Sequence, residues 1–186
     1  WAAIAITVSV IVPYLLGSIN SAVLISRVFY GADIRTQGSG NGGLTNMHRV
    51  YGGKAAGLVL LGDVLKMVLS LLIVGLFYGM QYGVIYDALD PTKIVAPETG
   101  FAYAFASNPL LYVAGTLCIL GHIFPVYFKF KGGKGIATNL GLILVLNPWI
   151  ALILTPAVLI VVAAAGIAGY TQPSQDFGSA LRLWRF

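Results

Sequence analysis

Apolar stretches separated by short polar loops dominate the pattern of hydrophobic and polar positions along the chain. The stretches cover residues 1–29, 55–79, 109–128, 136–146 and 148–170. The longer ones approach or exceed the roughly 20 apolar residues that cross a bilayer. Asn147-Pro148 divides the last two, because the residue before a proline is disfavoured in a helix. The pattern predicts an all-α, polytopic transmembrane bundle of about five spans, in which the short fourth stretch is re-entrant or extends back into the preceding loop.

Composition supports a lipid-facing surface. The 186 residues are 58% hydrophobic and only 9% charged, and the mean hydropathy is +0.87. A soluble domain carries about 25% charged residues. An ordinary soluble domain, a disordered chain and a nucleic-acid-binding module are therefore excluded, and a single membrane domain over residues 1–186 is expected. The lone Cys118 cannot form an intramolecular disulfide.

Charge is distributed unequally between the two sides of the predicted bundle. With five spans, two glycine-rich loops and the C-terminal tail share one side. That side carries Arg35, Arg49, Lys54, Lys129, Lys131, Lys134, Arg182 and Arg185. The long loop over residues 81–107 has Lys93 as its basic residue. The positive-inside rule then places the N-terminus outside and both glycine-rich loops in the cytoplasm.

The first glycine-rich loop, residues 31–49, has the composition of a phosphate site. Its glycines allow tight turns and close approach of a ligand to the backbone, and consecutive N–H groups in such turns form anion-binding concavities. Thr45 or Asn46 is expected to cap a helix that continues through Arg49. A helix N-terminus, hydroxyls at Ser39 and Thr45, and the arginine would together bind phosphate. The alternative is a flexible interfacial loop with cytoplasmic arginines.

The second glycine-rich loop, residues 129–135, places three lysines among glycines. It is not a nucleotide-binding Walker A loop, because Lys134 is followed by Gly135 where that motif requires Ser or Thr. An anion-binding role and a plain topology signal both remain open for this loop.

A few polar residues lie deeper in the apolar stretches. Asp63 and Lys66 are three residues apart and share one helix face, so they form either a functional site or a paired structural brace. His122 is either a base or a packing histidine, with packing slightly favoured. Asp33 is expected to pair with Arg35 or to cap its loop.

Several blocks of the chain resemble one family, the bacterial acyl-phosphate-dependent glycerol-3-phosphate acyltransferases, which are integral membrane proteins. The blocks are Gly17-Ser18-Ile19, Asp33-Ile34-Arg35, Gly38-Ser39-Gly40-Asn41, Thr45-Asn46, Arg49, Gly62-Asp63-Val64-Leu65-Lys66, Gly121-His122 with Pro125, and Phe130-Lys131-Gly132-Gly133-Lys134-Gly135 with Ala137-Thr138. The resemblance extends over about residues 10–150. It implies transfer of a fatty acyl group from acyl phosphate to the 1-hydroxyl of glycerol 3-phosphate, giving lysophosphatidic acid and phosphate, the first step of phospholipid synthesis, in the bacterial inner membrane.

The resemblance also implies roles for individual residues. The catalytic residues would be Ser39, Asn41, Arg49, Lys131 and Lys134. The substrate- and phosphate-binding residues would be Gly38, Gly40, Thr45, Asn46, Gly132, Gly133, Asp63, Lys66 and His122. No metal, organic cofactor or nucleic acid is expected. The expected partners are the two substrates, membrane lipid, and a phosphate acyltransferase that supplies acyl phosphate.

The C-terminal region departs from the family pattern. The family has a His and an Asn three residues apart in a basic tail, whereas here no His follows His122 and no Asn follows Asn147. Residues 164–186 are atypical for the family, and a truncated or frame-shifted end is the expectation. Two alternative functions stay open, a membrane transporter of a small phosphorylated solute and an inactive remnant of the acyltransferase.

Overall fold

The computed structural model describes residues 2–81 and 109–171, and every regular element within these ranges is helical. The helices are α1 (Ala2–Gly17), α2 (Ser21–Tyr30), α3 (Leu44–Gln81), α4 (Pro109–Ile123), α5 (Ile136–Leu146) and α6 (Pro148–Thr171). Two short 3-10 helices, Ile34–Thr36 and Val126–Phe128, lie in the connections before α3 and after α4. The all-α prediction is confirmed. The loop around Lys93 and the tail after residue 171 lie outside the described residues.

Three stretches of the described chain are long and apolar enough to cross a bilayer. They are Ile6–Tyr30, Leu44–Tyr78 and Pro109–Phe128, and the shorter apolar helices are Ile136–Leu146 and Pro148–Ala157. The predicted break at Asn147-Pro148 separates α5 from α6. Helix α5 begins directly after Gly135, which has a φ of 77°. Of the two alternatives for the short fourth stretch, extension back into the loop is therefore wrong, because a left-handed residue precedes the helix.

The first span is interrupted between α1 and α2. Asn20 caps α2, and its Oδ1 accepts a hydrogen bond from the N–H of Val23 at 3.0 Å. In a continuous helix this N–H would bond to the carbonyl of Ile19, four residues earlier. The cap therefore leaves the Ile19 carbonyl available to a different donor. Ser18, Asn20 and Ser21 at the interruption are all buried.

Helix α3 is central and contacts each of the other described helices. It is kinked at Gly52, whose φ of 82° and ψ of −174° are non-helical. Helices α1 and α4 approach closely at two glycines. A Cβ atom on Gly17 would collide with the carbonyl of Cys118, and one on Gly121 would collide with the carbonyl of Tyr14. Small residues permit such close approach between membrane helices. Large apolar side chains point outward, and Trp149 is 79% exposed, as expected for a lipid-facing surface.

Candidate functional site

Arg35 joins the two glycine-rich loops. Its Nη1 donates to the carbonyl of Phe128 at 2.8 Å and to that of Lys131 at 3.2 Å. Asp33 orients the guanidinium, with Nη2 donating to Oδ2 at 2.7 Å, and also accepts from the backbone N–H of Arg35 at 3.0 Å. The two roles predicted for Asp33, pairing and capping, are both confirmed. The adjacent guanidinium holds the pKa of Asp33 well below its ordinary range.

Asn46 organises the first loop from the first turn of α3. Its Oδ1 accepts from the N–H of Ser39 at 2.9 Å, and its Nδ2 donates to the carbonyls of Gln37 and Asn41, each at 3.0 Å. Helix α3 already begins at Leu44, so the prediction that Thr45 or Asn46 is its cap is wrong. The Asn46 amide contacts the backbone of the preceding loop and leaves the cap position to an earlier residue.

A cavity of about 120 Å³ opens between the two loops. Eight of the residues predicted to form a site line it: Ser39, Asn41, Thr45, Asn46, Arg49, Asp63, His122 and Lys134. The first residues of two helices also line it, Leu44 at the start of α3 and Ile136 at the start of α5. The fold therefore brings the two loops, which are almost a hundred residues apart in sequence, to one polar cavity.

The electrostatics of this cavity favour an anion. Helix N-termini present unpaired N–H groups and a partial positive charge, and two of them meet here beside Arg49 and Lys134. The Nε of Arg49 is buried and has no hydrogen-bond partner among the described residues. A buried donor of this kind calls for a ligand or a water as its partner. Asp63, a carboxylate in the lining, is itself paired with a lysine.

That pair belongs to a buried network that borders the cavity, since Asp63 and His122 both line it. Lys66 Nζ lies 2.9 Å from Asp63 Oδ1, 2.9 Å from the carbonyl of Ile19 and 2.8 Å from His122 Nδ1. Ser21 donates to the same oxygen of Asp63 at 2.9 Å. Asp63, Lys66 and His122 are 1%, 5% and 2% exposed. The prediction that Asp63 and Lys66 share one helix face is confirmed.

Six predicted site residues lie outside the lining of the cavity: Gly38, Gly40, Lys66, Lys131, Gly132 and Gly133. Lys131 is exposed. The N–H groups of Gly132 and Gly133 donate to the carbonyls of Ile123 and His122, each at 3.2 Å, so they fix the second loop to the end of α4. Gly38 has a φ of 55°, a left-handed conformation that favours glycine.

The sequence of the chain matches a known family over most of its length. The family model described as "Glycerol-3-phosphate acyltransferase" matches residues 7–172. The chain belongs to the glycerol-3-phosphate acyltransferase family. A glycerol-3-phosphate acyltransferase of Coxiella burnetii (strain CbuG_Q212) is 42% identical over 159 residues, which cover 86% of this chain and 68% of that relative. One of Clostridioides difficile (strain 630) is 37% identical, covering 82% of this chain and 64% of the relative.

Solved structures of an acyltransferase have a similar fold. The crystal structure of PlsY (YgiH), an integral membrane glycerol 3-phosphate acyltransferase, in its glycerol 3-phosphate form has a TM-score of 0.62 and 33% sequence identity. The match covers 89% of this chain and 72% of that one. The lysophosphatidic acid form gives a TM-score of 0.59 at 31% identity, covering 89% of this chain and 71% of that one. Together with the apolar helices, these matches identify the chain as an integral membrane protein.

Two further elements contribute to the site, the interrupted first span, whose small polar face of Gly17, Ser18, Asn20 and Ser21 suits helix packing or a polar cavity, and the start of α5. Asn20 donates from Nδ2 to the carbonyl of Gly42 at 3.0 Å, and so ties the interrupted first span to the first loop. The start of α5 at Ile136 also reaches the cavity. An Asn two residues after Gly17-Ser18 and directly before an apolar run is a recognisable helix cap, so the interruption of the first span was predictable. Its contact with the loop was not, because it joins distant parts of the sequence.

Proposed function

We propose that this chain transfers a fatty acyl group from acyl phosphate to the 1-hydroxyl of glycerol 3-phosphate, giving lysophosphatidic acid and phosphate. The observation that carries the proposal is the convergence of two helix N-termini, Arg49 and Lys134 on one cavity. Both substrates carry phosphate, and such a cavity suits phosphate. Membership of the acyltransferase family indicates glycerol 3-phosphate as the acceptor and acyl transfer as the class of reaction.

The reaction requires no nucleophile from the protein. The 1-hydroxyl oxygen attacks the acyl carbon, the bond from that carbon to the phosphate oxygen breaks, and the hydroxyl proton ends on the departing phosphate. Acyl phosphate is already activated, so positioning and stabilisation of the developing negative charge supply the rate acceleration. Arg49 and Lys134 would stabilise that charge, with Lys131 at the rim of the second loop. Ser39, Asn41 and Thr45 would orient the phosphate groups.

The membrane arrangement extends the proposal. We place both glycine-rich loops on the cytoplasmic face of a bacterial inner membrane, because the basic residues concentrate on that side. The acyl chain would lie in lipid against the exposed apolar faces of the helices, while its phosphate enters the cavity. A phosphate acyltransferase would supply the donor. The chain would act as one membrane domain.

The test is an assay on the purified chain in detergent. Palmitoyl phosphate and glycerol 3-phosphate are supplied together, and phosphate and lysophosphatidic acid are measured. Release of both, dependent on glycerol 3-phosphate, is expected, and palmitoyl-CoA in place of palmitoyl phosphate should give none. Acyl transfer from palmitoyl-CoA to glycerol 3-phosphate, with none from palmitoyl phosphate, would overturn the assignment of the donor.

A folded chain that binds glycerol 3-phosphate but transfers no acyl group would contradict the proposed reaction. Uptake of glycerol 3-phosphate by proteoliposomes would then test the transporter alternative. The same acyl-transfer assay on a chain that carries a relative's C-terminal segment after residue 163 would test the expectation about residues 164–186.

A further inference from the structure

The contacts of Lys66 indicate which ring nitrogen of a neighbouring histidine acts as a hydrogen-bond acceptor. A lysine ammonium has three N–H donors and no acceptor. Lys66 Nζ has three neighbours at hydrogen-bond distance: Asp63 Oδ1 at 2.9 Å, the Ile19 carbonyl at 2.9 Å and His122 Nδ1 at 2.8 Å. Each of the three donors therefore has one acceptor, and Nδ1 of His122 must offer its lone pair. The imidazole is then neutral and carries its proton on Nε2.

The nearby carboxylate does not change this assignment. Asp63 Oδ1 lies 3.5 Å from His122 Nδ1, which is longer than the 2.7–3.2 Å typical of an N–H···O hydrogen bond. A proton on Nδ1 would also point at the ammonium of Lys66, only 2.8 Å away. The same carboxylate oxygen already accepts from Ser21 at 2.9 Å and from Lys66. The network is complete with His122 as an acceptor at Nδ1.

The other ring nitrogen is directed away from this network. His122 lines the cavity, and a Cβ atom on Gly133 would collide with its Nε2, so Nε2 lies beside the backbone of the second loop. Among the residues that the structure describes, none accepts a hydrogen bond from Nε2. Nε2 is not one of the buried, unpartnered side-chain atoms of the described residues, so it keeps access to the cavity that His122 lines. A ligand oxygen in the cavity can therefore accept a hydrogen bond from Nε2–H.

We infer that His122 is a hydrogen-bond donor with a fixed tautomer, whose Nε2–H binds an oxygen of the phosphate-bearing substrate. Lys66 and Asp63 are positioning residues that act through it. The identity of the ligand rests on the proposed function, whereas the tautomer does not. A ring with a proton on Nε2 and its Nδ1 lone pair bonded to Lys66 has no free site for another proton. His122 is therefore not the base that removes the proton of the substrate hydroxyl.

The tautomer can be measured directly by nitrogen NMR of the purified chain labelled with ¹⁵N-histidine. The chain has two histidines, and the signals absent from a His122→Asn sample belong to His122. We expect a neutral ring protonated at Nε2 near pH 7, and a change in its Nε2 signal when inorganic phosphate or glycerol 3-phosphate is added. An imidazolium, a ring protonated at Nδ1, or an Nε2 signal insensitive to both ligands would overturn the inference.

This spectrum separates failure of the inference from failure of the proposed function, because it needs no acyl transfer. If the predicted tautomer and the response to phosphate are present but no acyl group is transferred, the donor role stands and the proposed reaction fails. If acyl transfer proceeds while the ring is an imidazolium, the proposed reaction stands and the inference fails.

Two amide substitutions test the role in catalysis. The side-chain oxygen of His122→Asn can replace Nδ1 as the acceptor for Lys66 but provides no donor at the Nε2 position, whereas the amide nitrogen of His122→Gln can reach that position. A donor role predicts a loss in kcat/KM of about ten- to a hundredfold for His122→Asn and a smaller loss for His122→Gln. If His122→Asn and His122→Gln lose equal activity and the pH profile of kcat/KM also loses one limb, His122 acts as a base. Full activity of His122→Asn would indicate a structural brace alone.

Discussion

The guanidinium of Arg35 and the carbonyl of Phe128 lie 2.8 Å apart and hold the two glycine-rich loops together. The contact joins residues 93 positions apart in sequence, and Asp33 fixes the arginine from the opposite side. The position of Lys134 relative to Arg49 thus depends on a contact outside the cavity. An arginine suits this role because its planar fork reaches several acceptors at once.

Replacing Arg35 should therefore impair activity without removing any residue from the cavity. We expect Arg35→Met to lower kcat/KM by about tenfold, because loss of a hydrogen bond that involves a charged group costs about 1.5–3 kcal/mol. The control is Arg27→Gln. Arg27 also pairs with Asp33, at 2.8 Å, but its side chain is 53% exposed, and exposed pairs contribute about 0–1 kcal/mol. Equal losses in the two variants would contradict a specific role for the contact between the loops.

The low pKa of Asp33 predicts a pH dependence of stability. The pKa is depressed in the folded protein, so the ionised carboxylate stabilises the fold fully above the pKa of an unfolded aspartate, about 3.9. This contribution is lost as the pH falls below that value. Wild type and Asp33→Asn are compared by unfolding in detergent between pH 7 and 3. Their difference in free energy of unfolding should be constant above about pH 5 and shrink below pH 4; a difference independent of pH would contradict this.

Replacing Arg49 or Lys134 in the cavity should lower activity more than replacing a basic residue outside the cavity. Arg49→Ala and Lys134→Ala are each expected to lower kcat/KM for acyl transfer by more than about tenfold, because a charge-assisted phosphate contact contributes about 1.5–3 kcal/mol. Lys54→Ala is the matched control, since Lys54 is exposed and lies outside the lining. The kcat/KM of Lys131→Ala should lie between the value of the two cavity variants and that of Lys54→Ala. Kinetics unchanged from wild type in a folded Lys134→Ala protein would remove that residue from the proposed site.

Gly133 should not tolerate a side chain. A Cβ atom there would collide with Nε2 of His122 and lie 2.9 Å from the carbonyl of Gly42, so Gly133→Ala must displace either the histidine or the first loop. We expect at least a tenfold loss of kcat/KM. Gly53→Ala is the control, because a Cβ atom there meets nothing within 4 Å. An active Gly133→Ala enzyme would show that the contact is not needed.

Removal of one partner of the buried ion pair should destabilise the fold. Lys66→Met leaves Asp63, almost fully buried, without its cation, and breaking a buried pair costs about 3–5 kcal/mol. Thermal unfolding in detergent should show a large drop in Tm. The double variant Asp63→Asn with Lys66→Met should recover part of the loss, because it no longer buries an unpaired charge. A double variant less stable than Lys66→Met would contradict this explanation.

The sequence predicted the helices well because their signals are local. Apolar length and the Asn147-Pro148 break define the ends of α5 and α6, and the spacing of Asp63 and Lys66 places both on one face. The contacts that build the site are not local. Neither the bond from Arg35 to Phe128 nor that from Asn20 to Gly42 has a counterpart in periodicity or composition, because each depends on how distant elements pack.

The position of the α3 start was mispredicted for a related reason. Asn46 has the residue type of a helix cap, but its amide bonds to three carbonyls of the preceding loop. Residue type alone cannot distinguish a side chain that caps its own helix from one that organises a loop folded back onto it. Residue type is equally uninformative about which lysine of the second loop reaches the cavity. Only the path of the backbone separates Lys134, in the cavity, from Lys131, outside it.

The interruption of the first span has a consequence for how a cation can reside in an apolar helical layer. A carbonyl within an unbroken helix accepts a hydrogen bond from the backbone N–H four residues later. The turn at Asn20 leaves the Ile19 carbonyl without that bond, and this oxygen contacts Lys66 together with Asp63 and His122. Bulk solvent would surround such an ammonium with water oxygens. Here fixed protein atoms take the place of those water oxygens, and the non-helical residues 18–20 supply one of them, the Ile19 carbonyl.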